Sequence, residues 1–349
     1  LMSIHICDHG QIWVGTDGQF ITRFDPLTER FTQIDYSWGD WSAVFSITCD
    51  SEYLWCGTWG SGVKRVNKKT LEVQSIDFDA EDQYRNSVFD VVLLDSTLWI
   101  ANIGLGLFKM NRNASKPELV FSTNEPKGIF PNSRINDLDT EGDSILWVST
   151  AGAGAIRYNV KTKKLEALNE RNGLSNNIVQ AVVHDRYNQY WFSTISGVTV
   201  LNRNFKLPIN FYVHNGLPSN AINKSAAFYD SEADRIYMGT QLGVSFFNPS
   251  NVEVDSFANR VIFTGFSVMG QAIDKLPNPH ADAPISIANS ITLNPGDKML
   301  TIYFSFMDFS PSFLNSYEYK LEGFDENWNK TPYSKNFAQY TNLSSGTYY

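Results

Sequence analysis

Aromatic and planar polar side chains recur in the loops that precede a series of short apolar segments. A flat aromatic ring can stack on the apolar face of a sugar, and guanidinium and amide groups can donate paired hydrogen bonds to its oxygens. A surface of this composition suits sugars or anionic sugars. The residues predicted to bind a ligand are Trp38, Trp41, Arg85, Asn86, Arg134 and Asn177.

A metal site is a second chemistry that the spacing suggests near the start of the chain. His5, Cys7 and His9 alternate, so a strand would place three zinc-ligand types on one face. His9, however, is also the middle residue of an Asp-His-Gly turn that matches the turns of a repeat described below. We therefore predict no metal site.

Catalytic groups do not stand out elsewhere in the sequence. His184, His214 and His280 lie in separate segments without a serine or cysteine in a recognisable nucleophile motif. With 37 acidic residues in the chain, no catalytic carboxylate pair can be singled out. We predict that this fragment is not an enzyme and needs no cofactor.

The elements that position these residues follow from an internal repeat. Motifs such as Leu-Trp-Cys-Gly-Thr at Leu54 and Leu-Trp-Val-Ser-Thr at Leu146 recur along the chain. The aromatic residues are 42, 44, 48, 44 and 46 residues apart, close to the roughly 40–45 residues of a four-stranded propeller blade. These aromatic residues are Trp13, Trp55, Trp99, Trp147, Trp191 and Tyr237.

Each repeat contains an apolar segment before its aromatic residue and two weaker segments after it, which predicts four strands. The first segment would be the innermost strand and would line a central channel. A polar residue recurs in this strand two positions after its first apolar residue. It faces water in the channel or contacts a ligand there, and its members are Ser46, Asp90, Asp137, Gln180 and Lys224.

Composition narrows the class of protein. The chain has 349 residues and a formal charge of −9, which argues against contact with nucleic acid because such surfaces concentrate lysine and arginine. No segment approaches the roughly 20 apolar residues of a membrane span. The three cysteines, Cys7, Cys49 and Cys56, are expected to be buried apolar residues rather than a disulfide framework, and they leave the compartment undecided.

The periodicity stops near Val261, where alternating apolar segments separated by proline and asparagine predict a β-sandwich. We therefore expect a β-propeller over residues 1–255 and a β-sandwich over residues 256–349. The second domain is expected to be cut short at its C-terminus, since the chain stops where an apolar strand should continue. Its core is predicted to contain Tyr317 or Tyr319, Trp328 and Tyr340.

Two motifs carry a resemblance to a known family. The repeat, most intact at 54–67 and 146–159, resembles the two-component regulator propeller repeat. The tail Tyr-Glu-Tyr-Lys-Leu-Glu-Gly-Phe-Asp-Glu-Asn-Trp from Tyr317, with the final ten residues from Tyr340, resembles the Y_Y_Y domain. The ordered pair resembles the periplasmic sensor region of a hybrid two-component system.

The resemblance implies an all-β fold, a seven-bladed propeller followed by an Ig-like Y_Y_Y sandwich. Six motif copies are visible, so one blade is expected upstream. It further implies an extracytoplasmic part of an inner-membrane protein, with a membrane helix and a histidine kinase downstream. Expected partners are an oligosaccharide ligand, a second propeller of the same chain and a second copy in a homodimer. The implied output is control of glycan-utilisation genes.

Two other functions fit a propeller. One is a polysaccharide lyase or glycosidase, whose acid and base would lie in a charged funnel. The other is a passive scaffold that binds only protein. The C-terminal Y_Y_Y-like tail favours the sensor, because an isolated enzyme would not need it. The identity of the ligand, its position on this propeller or at an interface, the oligomeric state and the direction of signalling are left open.

Overall fold

The computed structural model describes residues 2–7, 10–18, 20–35, 42–78, 84–124, 128, 133–202, 208–252, 261–273, 279–281, 283–306, 316–332 and 334–349. The chain divides into two compact units, Leu1–Val254 and Asp255–Tyr349, here called the propeller unit and the C-terminal unit. Among the described residues, no helix has the length and apolar character needed to cross a bilayer.

The propeller unit consists of six antiparallel sheets in chain order. The first three sheets contain β1 (Ser3–Ile6), β2 (Ile12–Gly15), β3 (Phe20–Asp25), β4 (Arg30–Asp35); β5 (Val44–Cys49), β6 (Tyr53–Thr58), β7 (Val63–Asn67), β8 (Val73–Ile76); and β9 (Val88–Leu94), β10 (Thr97–Asn102), β11 (Gly106–Asn111), β12 (Glu118–Ser122). The last three contain β13 (Ile135–Glu141), β14 (Ile145–Thr150), β15 (Ala155–Asn159), β16 (Leu165–Leu168); β17 (Val179–His184), β18 (Gln189–Thr194), β19 (Gly197–Asn202), β20 (Ile209–Phe211); and β21 (Ile222–Asp230), β22 (Arg235–Thr240), β23 (Gly243–Phe247).

Each sheet is one blade, and its strands pair in sequence order. The first strands of successive blades, β1, β5, β9, β13, β17 and β21, contact one another. They are therefore the inner strands around the axis, as the repeat predicted. Blades 1 to 5 have four strands each and blade 6 has three in the described part of the chain.

The six repeat aromatic residues lie at equivalent positions on the second strands, which confirms the repeat prediction. Trp55 packs with Val88 and Val91 of the next blade, and Trp191 packs in the same way against Ile222 and its neighbours. Five indoles are almost completely buried, at 0–3 % exposure. Each tryptophan thus fills the interface between its own blade and the next, where a large ring stabilises most by removing apolar surface from water.

The cysteines differ from the sequence prediction. Cys7, just after β1, and Cys49, at the end of β5, form a disulfide across a sequence separation of 42 residues. Ile6 pairs with the residue before Trp13 as Cys49 pairs with the residue before Trp55, so Cys7 lies one position beyond the match of Cys49. The bond joins the C-terminal ends of two adjacent inner strands. The strand-like neighbours of each cysteine indicate burial, whereas the pairing depends on the contact between two adjacent inner strands. Cys56 is a free, buried thiol as expected.

The first and last blades expose apolar side chains that the middle blades bury. Val244 of β23 is 65 % exposed, whereas Val198 at the matching position of β19 is 1 % exposed. Ile4 of β1 is 60 % exposed, and the matching Ile47 of β5 is 7 % exposed. These faces are compatible with a further blade, whose existence stays a prediction from the resemblance.

The C-terminal unit contains a four-stranded antiparallel sheet in the order β25-β24-β26-β29 and a two-stranded hairpin, β27-β28. The sheet strands are β24 (Val261–Val268), β25 (Gln271–Ala272), β26 (Met299–Phe306) and β29 (Phe337–Thr341), and the hairpin strands are β27 (Ser316–Tyr319) and β28 (Asn329–Pro332). Tyr317 and Tyr340 are buried with Phe304 between hairpin and sheet, and Tyr319 packs against this cluster. Those three tyrosines confirm the predicted core.

Trp328 is the exception, since it is 66 % exposed and lies outside that core. It precedes β28, in which Thr331 is buried and Lys330 is exposed. Because side chains alternate with a period of two along a strand, Trp328 has the outward phase of Lys330. The prediction that it is a core residue was wrong.

Candidate functional site

A β-bulge recurs near the start of the inner strands. The pairing register shifts between Val44 and Ser46 of β5, and equivalent shifts occur in the next three inner strands. A bulge leaves one residue unpaired and redirects its side chain. The bulged residues of blades 2 and 3 are Phe45 and Phe89, which are half-buried.

The two phenylalanines belong to a larger group that we call the aromatic platform, composed of Phe45, Trp59, Tyr84 and Phe89. The ring centroids of Phe45 and Phe89 are 5.5 Å apart, those of Phe45 and Trp59 are 6.1 Å apart, and those of Trp59 and Tyr84 are 6.2 Å apart. Trp59 follows β6 and Tyr84 precedes β9. Tyr84 keeps 42 % of its surface exposed, so the platform is accessible from solvent.

A lysine from the opposite side of the unit reaches this platform. In β21 the irregularity extends from Ile222 to Ala227, and it contains Lys224. The ammonium nitrogen of Lys224 lies 2.8 Å from the ring centroid of Phe89 and 5.2 Å from that of Phe45. This cation–π geometry holds a positive charge against the aromatic surface.

The charges around Lys224 are mixed. Burial and the nearby Arg134 guanidinium lower the pKa of Lys224 to about 8, and Asp90 and Asp137 oppose that shift. Arg134 is exposed and immediately precedes β13. Lys224 thus brings a positive charge to the flat apolar rings of the platform, and Arg134 is a second cation in its surroundings. The two acidic residues that interact with Lys224, Asp90 and Asp137, lie in the inner strands.

Asp90 and Asp137 belong to the polar column that the sequence predicted. Asp90 forms hydrogen bonds that join neighbouring blades. The Ser46 hydroxyl donates to Asp90 Oδ1 at 2.5 Å, and the Leu138 backbone N–H donates to Asp90 Oδ2 at 2.7 Å. One carboxylate thus bridges blades 2, 3 and 4. Burial raises the pKa of Asp90 and Asp137, and their mutual repulsion raises that of Asp137 further.

Two members of the predicted column do not share the paired position of Ser46. Lys224 lies in the irregular part of β21 between Ile222 and Ala227, and Gln180 is displaced by one residue. In β17 the pairing begins at Val179 opposite Thr194, so Ala181 and not Gln180 is equivalent to Ser46. The sequence alignment took Ile178 as the first strand residue, whereas Ile178 makes only an isolated bridge with Ala151. Gln180 instead occupies the bulge position.

Two of the predicted ligand-binding residues hold loops in place. Asn86 Oδ1 accepts a hydrogen bond from the Phe78 N–H at 3.2 Å, and its carbonyl accepts one from the Gly62 N–H at 2.8 Å. Asn177 repeats this arrangement with the N–H groups of Glu170, at 2.8 Å, and Gly154, at 3.0 Å. Each asparagine precedes an inner strand and accepts hydrogen bonds from backbone N–H groups of the preceding blade.

Two of the other predicted residues are described. Arg85 is exposed and follows Tyr84, and Arg134 is exposed and interacts electrostatically with Lys224. Trp38 and Trp41 fall outside the described residues. A ligand-binding role for all six remains a prediction. Sequence analysis missed the platform because two of its members are bulged residues, which an alternating pattern assigns to the blade interior.

Comparison with known proteins supports the family resemblance. A family model for the Y_Y_Y domain matches residues 308–349. Histidine kinase P4 of Formosa agariphila is 25 % identical over 360 residues, covering 75 % of this chain and 26 % of that protein. The chain therefore spans about a quarter of this curated relative.

Two solved structures support the fold. The extracellular domain of the hybrid two component system BT4673 from B. thetaiotaomicron matches 99 % of this chain and 47 % of its own, with 24 % identity and a TM-score of 0.55. The β-propeller domain of Cps50 (Swd1) from Myceliophteria thermophila matches 71 % of this chain and 83 % of its own, with 10 % identity and a TM-score of 0.54. The predicted all-β fold is confirmed, and the Y_Y_Y match and the histidine kinase relative bear out the resemblance to a two-component sensor.

Proposed function

We propose that the chain is the ligand-sensing region of a hybrid two-component histidine kinase and that it binds an acidic oligosaccharide on the aromatic platform. The observation that carries the proposal is the position of Lys224, whose ammonium group lies against Phe89 while Arg134 is close by. A sugar ring would stack on the exposed aromatic surface, and a carboxylate or sulfate would be held by the cations.

The platform and the two cationic residues together come from four blades. Phe45 and Trp59 come from blade 2, Tyr84 and Phe89 from blade 3, Arg134 from blade 4 and Lys224 from blade 6. A ligand that contacts several of them would favour one arrangement of the blades over another. Differential affinity for two arrangements is what a sensor needs in order to transmit binding to a kinase. Control of glycan-utilisation genes would be the output.

The hydrogen bonds of Asp90, one of the two carboxylates that interact with Lys224, favour binding over catalysis. Both oxygens of Asp90 accept hydrogen bonds from Ser46 and from backbone N–H groups. A glycosidase needs a nucleophile or base within reach of the sugar, with lone pairs directed at the reacting atoms. Asp90 instead has a structural role between blades, which supports the proposal of a non-catalytic fragment.

The test is calorimetric titration of the purified chain with uronate-containing, sulfated and neutral oligosaccharides of equal length. Lys224→Gln should weaken binding of the acidic ligand by roughly 1.5–3 kcal/mol, about ten- to a hundredfold, because a charge-assisted hydrogen bond is lost. Trp59→Ala should weaken binding of acidic ligands through the loss of stacking, worth about 0.5–1.5 kcal/mol.

Matched controls lie on outer strands of the same unit. Lys109→Gln removes a lysine that pairs with Glu118 on blade 3, and Phe31→Ala removes a ring that is 70 % exposed on blade 1. Both should leave the affinity unchanged. If Lys224→Gln and Trp59→Ala bind the acidic ligand as tightly as the controls do, the platform is not the binding site.

A further inference from the structure

Cys7 occupies a position of the repeat at which blades 2 and 5 have an aspartate that bonds the repeat tryptophan. In blade 5 the equivalent residue is Asp185, whose carboxylate accepts the indole N–H of Trp191 at 2.8 Å. In blade 2 the equivalent Asp50 accepts the N–H of Trp55 at 3.2 Å. The indole nitrogen of Trp13 in blade 1 is buried and has no such partner among the described residues. Cys7 therefore stands where blades 2 and 5 have a carboxylate that accepts the indole N–H.

The replacement places three metal-ligand atoms together. One ring nitrogen of His5 and the sulfurs of Cys7 and Cys49 all lie within 4.8 Å of one another. His5 is in β1 and Cys49 is at the end of β5, so the group joins the inner strands of blades 1 and 2. A tetrahedral zinc ion, with Zn–S near 2.3 Å and Zn–N near 2.0 Å, holds its ligand atoms about 3.3–3.8 Å apart. The group is thus compact enough for one ion.

We propose that His5, Cys7 and Cys49 form a redox-gated site for a thiophilic divalent cation, with Zn²⁺ as the ion. In the oxidised chain the disulfide occupies both sulfurs and the site is closed. In the reduced chain two thiolates and one imidazole bind the ion, and water completes the tetrahedron, as in three-ligand zinc sites. Either the disulfide or the ion links the two blades.

A dithiol reductant supplies the two electrons and two protons that open the disulfide. A thiolate of the dithiol attacks one sulfur of the Cys7–Cys49 bond, which releases the other cysteine and forms a mixed disulfide. The second thiol of the reductant then attacks its own sulfur in the mixed disulfide and releases the remaining cysteine. Two electrons and two protons reach the protein, which then carries two thiols, while the reductant forms its own disulfide. Binding of Zn²⁺ releases both thiol protons to solvent and forms two Zn–S bonds and one Zn–N bond.

The experiment begins with the purified chain, reduced by dithiothreitol and freed of it by anaerobic gel filtration. Titration with Co²⁺ should give thiolate-to-cobalt charge-transfer bands that saturate at one equivalent, and Zn²⁺ should abolish them. The oxidised chain should give none. Loss of a residue that only hydrogen-bonds to a metal ligand lowers metal affinity roughly tenfold to a hundredfold. His5→Ala should weaken Co²⁺ binding by more than this, because it removes a ligand itself. Cys49→Ser should abolish the charge-transfer bands, and Cys56→Ser should not alter them.

A second measurement remains informative if reduction of the disulfide partly unfolds the chain. Alkylation of the reduced chain, read by mass spectrometry at each cysteine, should be slowed by Zn²⁺ at Cys7 and Cys49 only. Cys56 is buried in blade 2 and serves as the internal reference for folding. Equal alkylation with and without Zn²⁺, or cobalt bands that persist in Cys49→Ser, would overturn the proposal and leave the pair as a structural disulfide.

Discussion

At the scale of single residues, buried carboxyl groups bond the inner strands to one another. Asp90 receives hydrogen bonds from blades 2, 3 and 4, and Asp137 and Asp139 follow on β13. Placing several acids close together in a poorly solvated region disfavours their charged forms. Burial and the neighbouring Asp90 and Glu141 raise the pKa of Asp139 to about 7.

This shift makes stability depend on pH. An aspartate in an unfolded chain titrates near 3.9, so between about pH 4 and pH 7 the folded chain binds more protons than the unfolded chain. The stabilisation from Asp139 is complete below about pH 4 and is lost as the pH rises through about 7. The free energy of unfolding should therefore fall between pH 5 and pH 8, and Asp139→Asn should reduce that fall. Denaturant unfolding at several pH values measures both effects.

Asp143→Asn is the control for this prediction. The exposed Asp143 pairs with Lys161, which lowers the pKa of its carboxyl. Its titration is therefore complete below pH 5, and the substitution should leave the slope between pH 5 and pH 8 unchanged. If Asp139→Asn also leaves the slope unchanged, Asp139 is ionised throughout this range.

At the scale of elements, the hairpin β27-β28 shows how strand phase separates a core aromatic residue from a surface one. Tyr317 is 6 % exposed and packs on Phe304 with ring centroids 5.0 Å apart. Tyr317→Ala should destabilise the C-terminal unit by about 3–5 kcal/mol, as truncation of a buried aromatic residue does. Trp328→Ala should change its stability by less than about 0.5 kcal/mol.

Denaturant unfolding of the two variants, followed by circular dichroism, tests this pair. The substitutions are matched, because each removes a large ring from the same hairpin. A larger loss for Trp328→Ala than for Tyr317→Ala would show that the hairpin has the opposite phase.

The same distinction explains what the sequence could predict about the elements. The repeat located the blades because Trp55, Trp147 and their equivalents must fill similar interfaces, and similar interfaces need similar residues. The bulges at Phe45 and Phe89 could not be predicted, because a bulge changes the period locally without any required residue type. The Cys7–Cys49 bond could have been inferred, since the two cysteines are 42 residues apart, about one repeat, and lie at the C-terminal ends of adjacent inner strands.

At the scale of the whole molecule, the formal charge of −9 contrasts with the cations at the aromatic platform. A negatively charged protein that binds an acidic ligand must concentrate positive charge locally, and Lys224 with Arg134 provides such a region. The predicted site could be inferred from the sequence only in part. The loop arginines were found from their position before the inner strands, and Lys224 was found as a member of the recurring polar column. The extended irregularity of β21 that contains Lys224 was not predicted.

A prediction about the location of binding follows from the division into two units. A ligand that binds only the folded propeller unit stabilises it by RT ln(1 + [L]/Kd), about 2.7 kcal/mol at a ligand concentration of 100 Kd. Amides that exchange with solvent only through opening of that unit should then exchange about a hundredfold more slowly. Hydrogen exchange read by mass spectrometry should show this slowing in β5, β9, β13 and β21 when a uronate oligosaccharide is added. A neutral oligosaccharide of the same length should have a smaller effect, and strands β24 to β29 should be unaffected. Slowing confined to β24 to β29 would place the ligand on the C-terminal unit and exclude the platform as its site.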